Sequence, residues 1–70
     1  DISDLNQMKI EGIFWGINKP QAIINGGIYR IGDKIENIGA EIIDIKDGII
    51  QVIYKKRVFI LSPKQGIVPF

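Results

Sequence analysis

Ser3 and Ser62 are the two hydroxyl side chains of serine type in the chain, and a serine nucleophile needs a base beside it. There is no His and no Cys, so Ser-His and Cys-His arrangements are excluded and only a Lys remains to activate either serine. Both serines fall in terminal loop segments, a poor setting for a fixed nucleophile. Acid–base work by paired carboxylates has Glu36, Glu41, Asp44 and Asp47 to draw on. Asp47 has a turn to make, however, and the other three suit a solvated face. The pair Gly26-Gly27 lies inside a hairpin pattern rather than at a strand-to-helix junction, so it builds no phosphate cradle. Without Cys or His the common metal-ligand sets are missing too. No catalytic residue, no metal, no cofactor and no small-molecule substrate is expected.

Two constellations point to binding instead. Lys55-Lys56-Arg57, flanked by Tyr54 and Phe59, is a basic cluster that could hold phosphates while the aromatics stack bases, as in small nucleic-acid-binding barrels of SH3-like or oligonucleotide-binding type. The plainer reading is a charged hairpin tip that keeps the loop soluble and guards the sheet edge. A net charge of +1 favours the plainer one. The second constellation is Phe14-Trp15, two large aromatics on opposite faces of one strand. One is expected in the core and the other exposed as a docking surface; the competing reading packs both in a two-sided sheet. The interrupted strand over residues 9–15 reads as an adaptable edge. Lys9, Glu11, Ile13 and Trp15 on it, with Tyr29 and Arg30, are the candidate partner-binding residues.

The elements that must position these groups follow from alternation and turns. In Met-Lys-Ile-Glu-Gly-Ile-Phe-Trp-Gly-Ile (8–17), Met8 and Ile10 share one face, then Ile13, Trp15 and Ile17 take over after Gly12. A change of face at a glycine predicts a bulge. Asn25-Gly26 between apolar runs predicts a two-residue hairpin turn, pairing Ile24 with Gly27, Ile23 with Ile28, Ala22 with Tyr29 and Gln21 with Arg30. Residues 34–39 are irregular, with room for a brief strand near Ile35. Asp47-Gly48 predicts a second hairpin: Lys46 with Ile49, Ile45 with Ile50, Asp44 with Gln51, Ile43 with Val52 and Ile42 with Ile53. One face then carries Ile43, Ile45, Ile50 and Val52, ending at Glu41 and Tyr54. The other carries Asp44, Lys46 and Gln51 beside Ile42, Ile49 and Ile53. A last strand is Val58-Phe59-Ile60-Leu61.

Composition agrees with an all-β chain. Of its 70 residues 18 are Ile, against two Leu and two Ala, and Ile suits a pleated sheet better than a helix. One domain is expected: a lead-in or helical turn opened by Ser3 or Asp4 over residues 1–7, a β domain over 8–61, and a flexible tail over 62–70. The longest apolar run is the four residues from Val58 to Leu61, so no segment spans a bilayer as a helix. The chain opens on Asp1 without an initiator Met, and an excised domain is expected, with any membrane anchor outside it.

At Ile23-Ile-Asn-Gly-Gly-Ile-Tyr-Arg-Ile-Gly-Asp-Lys-Ile35 a family pattern enters. A first strand ends in Gly and aromatics, Pro-x-Ala-Ile-Ile-Asn-Gly and Tyr-Arg-x-Gly-Asp-x-Ile follow, and a strand-turn-strand closes on Phe-x-Leu. Over residues 5–61 this resembles the periplasmic homology-region domain of the type II secretion inner-membrane protein C. It is similar also to the related B component and to the type IV pilus assembly lipoprotein P. Gly27 and the Ile bias depart from that pattern. The resemblance implies a compact six-stranded domain of two three-stranded antiparallel sheets, packed as a sandwich or partly open barrel. It also implies a non-catalytic role in the periplasm, on an inner-membrane-anchored protein. There the domain would join the inner-membrane platform and other secretion components to the N-terminal periplasmic domain of the secretin.

Overall fold

In the computed structural model, which describes residues 3–16, 18–35 and 38–70, Asn25 (φ +50°) and Gly26 (φ +80°) form a two-residue turn. Both residues need positive φ, which asparagine and glycine tolerate best. The turn joins β2 (Gln21–Ile24) to β3 (Gly27–Arg30) in the expected register, Gln21 opposite Arg30 through Ile24 opposite Gly27. β1 (Ile10–Phe14) pairs antiparallel with the other side of β2, giving a three-stranded sheet in the order β1-β2-β3. Its register slips between Ile10 and Gly12, so the bulge expected at Gly12 is there, with Glu11 as the extra residue. Asp1, Ile17 and Glu36, on which the reading of the sequence drew, lie outside the described residues.

The second sheet has five strands rather than three: β4 (Lys34–Ile35), β5 (Ala40–Lys46), β6 (Ile49–Tyr54), β7 (Arg57–Ser62) and β8 (Gly66–Pro69), in that order and all antiparallel. The expectation of two three-stranded sheets is thereby corrected. The brief strand near Ile35 is β4, and the stretch expected to be a flexible tail supplies β8, after which the Phe70 N–H donates to the Val58 carbonyl at 3.0 Å. The sheets are not closed into a barrel. Ahead of β1 a 3₁₀ turn, Leu5–Gln7, drops Leu5 fully buried into the core.

Between the sheets the chain turns a corner at Gly32 (φ +95°). Gly32 N–H donates to the Ile42 carbonyl at 2.7 Å, and Ile42 N–H donates to the Asp33 carbonyl at 2.9 Å. The Asp33 carboxylate accepts the Arg30 N–H at 2.9 Å, which closes the corner. The strands pass from one sheet to the other without losing backbone pairing.

The Asp47-Gly48 hairpin holds its expected register for Lys46–Ile49, Ile45–Ile50 and Asp44–Gln51, then departs from it. A bulge at Ile43 sets Ile42 opposite Val52 and Glu41 opposite Ile53. The core face of β5 is therefore Ala40, Ile42 and Ile45, all buried, and Ile43 stands 37% exposed on the outside. The core expected from strict alternation, with Ile43 inside and Ile42 outside, is corrected. One extra residue inverts the faces of everything beyond it. Ile50, Val52, Tyr54, Phe59 and Leu61 complete the buried set from β6 and β7, facing Ala22 and Ile24 of β2.

Candidate interaction surfaces

The outer face of the three-stranded sheet carries two rows, read from the pairing: Gly12, Ile23 and Ile28, then Phe14, Gln21 and Arg30. Phe14 and Trp15 are each 50% exposed and Ile28 is 64% exposed. A Cβ added at Gly12 would lie 3.6 Å from both the Phe14 ring and Ile23 Cδ1. The missing side chain is thus the space into which the Phe14 ring leans. Neither aromatic belongs to the core, which corrects both readings of that pair. Phe14 and Ile28, with Ile23 on the strand between them, make up the apolar part of this outer face beside the exposed Arg30, and the half-exposed Trp15 follows directly after the end of β1. Ile28 was absent from the expected site, although its pairing with Ile23 and its alternation with Tyr29 already put it on this face.

The other expected partner-binding residues divide by role. Ile13 and Tyr29 lie across from Ala22 on the inner face, partly buried against the core. They are packing residues, and Ile13→Asp belongs with unfolding variants rather than binding variants. Glu11 is exposed, but its carboxylate accepts the Gly26 N–H at 2.6 Å. Asn25 works from the other side: its side-chain oxygen accepts the Lys9 N–H at 2.8 Å, its amide nitrogen donates to the Gln7 carbonyl at 3.2 Å, and its own N–H donates to the Lys9 carbonyl at 3.0 Å. These bonds tie the start of β1 to the β2–β3 turn. Lys9, Trp15 and Arg30 remain open to a partner, and β1 is an edge strand, as expected of residues 9–15.

The basic cluster is a two-residue hairpin tip, with Tyr54 opposite Arg57 and with Lys55 (φ +50°) and Lys56 (φ +66°) at the turn. Tyr54 and Phe59 are each 4% exposed. The Tyr54 hydroxyl donates to the Asp4 carboxylate at 3.0 Å, and Lys55 Nζ stands 5.2 Å from the centre of the Tyr54 ring. Neither ring offers a face on which a base could stack, so the stacking role expected of them is corrected. What remains is the exposed cationic tip.

Two of the candidates for chemistry, Ser62 and Asp44, are engaged elsewhere. Ser62 Oγ accepts the Gln65 N–H at 2.9 Å and shapes the β7–β8 turn. One Asp44 oxygen accepts the Ile45 N–H at 2.9 Å and the other lies 3.5 Å from Lys46 Nζ. Among the described residues no group of three or more Asp or Glu is placed to hold a metal ion. A groove of about 460 Å³ runs between Leu5, Met8 and Ile10 on one wall and Leu61 and Ile67 on the other, and Lys9 is its one ionisable lining residue. Apart from Lys9 its walls are Leu, Ile, Met, Pro and Gly with Asn6 and Ser62, a lining suited to contact. The chain matches no protein-family model, no curated protein and no solved structure.

Proposed function

We propose that this chain is a non-catalytic protein–protein interaction module of a bacterial type II secretion or type IV pilus machine. In this reading it sits in the periplasm on an inner-membrane-anchored protein and links that platform to the N-terminal periplasmic domain of the secretin. The sequence resemblance over residues 5–61 supplies the identity of the machine and partner. The observation that supports the docking role is the exposure of Phe14 and Ile28 on the outer face, with Trp15 exposed at the end of the strand, in a sheet whose edge is β1. Aromatic side chains exposed in this way are the usual anchors of an interface. An edge strand adds backbone hydrogen bonds to them. The apolar patch is small, so a single contact is weak, on the order of micromolar or weaker, and gains from repetition.

Titration of the labelled domain with the secretin's N-terminal periplasmic domain tests this by NMR. Shifts are expected at residues 9–15 and 28–30. The single Trp reports the same event by fluorescence. Trp15→Ala combined with Ile28→Asp is expected to weaken binding at least tenfold while the fold persists. A domain that shows no shift at millimolar partner would not be such a module.

A further inference from the structure

The β6–β7 turn breaks a rule that the other two-residue turns keep. Asn25-Gly26 and Asp47-Gly48 each put a glycine at a position of positive φ, whereas Lys55 (φ +50°) and Lys56 (φ +66°) hold two such positions with long side chains. Arg57 follows, and all three cations are exposed. Among the described residues neither Lys56 nor Arg57 makes an ion pair, and Lys55 stands over the Tyr54 ring. The carboxylates that the pairing brings to this end are Asp4, which takes the Tyr54 hydroxyl at 3.0 Å, and Glu41, which stands opposite Lys34. These three cations are a third of the nine Lys and Arg, and the other six face eight Asp and Glu. The net charge of +1 is therefore the sum of a cationic tip and an acidic remainder. Beside the tip, Arg57 shares a hollow of about 550 Å³ with Val58, Phe59, Pro69 and Phe70 and is its one ionisable side chain. Phe70 is 78% exposed, and its N–H bond to the Val58 carbonyl keeps it next to the tip.

We infer that the β6–β7 tip docks on the surface of an anionic lipid bilayer, with the three cations on headgroup phosphates and Phe70 at the edge of the acyl region. The charge on the page calls for an anionic partner, and the hollow says which kind. A bilayer offers phosphate directly above hydrocarbon, and here cations stand directly beside an apolar recess. Aromatic side chains settle at that boundary. A single-stranded nucleic acid offers phosphate too, but it is held largely by stacking its bases on aromatic rings. Tyr54 and Phe59 are each only 4% exposed and give no such face. The turn itself fits the same reading, because it keeps two lysines where Asn-Gly would suit the backbone better. Each cation near an anionic surface strengthens binding about fivefold, so three give a preference on the order of a hundredfold over a neutral surface.

Co-sedimentation of the chain with vesicles of equal parts phosphatidylglycerol and phosphatidylcholine, compared with vesicles of phosphatidylcholine alone, tests this. Binding to the anionic vesicles is expected, on the order of a hundredfold tighter than to the neutral ones and weakening as salt rises. Lys55→Asn with Lys56→Gly suits the turn, so circular dichroism should be unchanged while binding weakens at least tenfold. Phe70→Ser leaves the charge alone and should weaken binding about threefold or more. Lys64→Gln removes one cation from the β7–β8 turn, at the other end of the strands, and should leave binding unchanged. Equal binding to the two kinds of vesicle overturns the inference, as does binding that survives the Lys55-Lys56 change, ignores Phe70→Ser or falls with Lys64→Gln. So does a single-stranded oligonucleotide bound as tightly as the anionic vesicles at the same salt. The secretin titration reads Phe14, Trp15 and Ile28, none of which is used here, so either proposal can fail while the other stands.

Discussion

Asn25 shows how much one side chain can hold when its backbone conformation and its hydrogen bonds agree. At φ +50° it sits where a side chain with Cβ branching or bulk is strained, and from there its amide reaches both Lys9 N–H and the Gln7 carbonyl. Asn25→Ala loses the tolerance of that conformation and two hydrogen bonds together, so a loss of about 2–3 kcal/mol is expected. Asn25→Asp keeps the acceptor and loses the donor, for less than about 1 kcal/mol. Urea midpoints at constant m-value separate the two outcomes. Lys55 and Lys56 occupy the same region of backbone space with only the Lys55–Tyr54 ring contact in return. Replacing the pair with Asn-Gly should therefore stabilise the domain by about 1–2 kcal/mol in the same assay.

Among the elements, β5 is where the reading of the sequence and the structure part. Ile42 is fully buried and Ile43 is 37% exposed, although the two side chains are identical. Ile42→Ala is expected to cost about 2–5 kcal/mol and Ile43→Ala less than about 1 kcal/mol, a contrast that thermal unfolding of the two variants measures directly. Strict alternation predicts the reverse order. The turn at Asp47-Gly48 was legible because few residues accept its backbone angles, and register follows from a turn for as long as the ladder is regular. The bulge at Ile43 was not legible, because Ile42-Ile43 offers no difference in polarity to show which residue is extra. At Gly12 a glycine marked the comparable bulge in β1 and it was anticipated. The same contrast governs the edges. Pro63, Gly66 and Pro69 break the pattern of β8 and make the sequence read as a tail, yet a proline is acceptable in an edge strand whose outward side needs no donor. The Phe70–Val58 hydrogen bond puts Pro69 at a position facing away from β7, where it blunts that edge. β4 is only two residues long. Those two devices protect the five-stranded sheet and leave β1 as the longer edge of the smaller one. The apolar patch of the candidate site was half legible for a related reason. Phe14 and Trp15 announced themselves by size, whereas Ile28 looked like any other of the 18 Ile residues until its row was known.

For the molecule as a whole, 18 Ile among 70 residues is more than one core can use. Among the described residues six Ile are buried, Ile24, Ile35, Ile38, Ile42, Ile45 and Ile50, while Ile28, Ile31, Ile43 and Ile53 stand exposed. Ile28 shares the outer face of the smaller sheet with Phe14, the face that the proposed docking role uses. On that proposal, surface plasmon resonance over an immobilised secretin N-terminal domain is expected to show weak one-to-one binding that Ile28→Asp and Trp15→Ala each reduce, with unchanged circular dichroism certifying the fold. A response that neither change reduces would remove the smaller sheet from the interface.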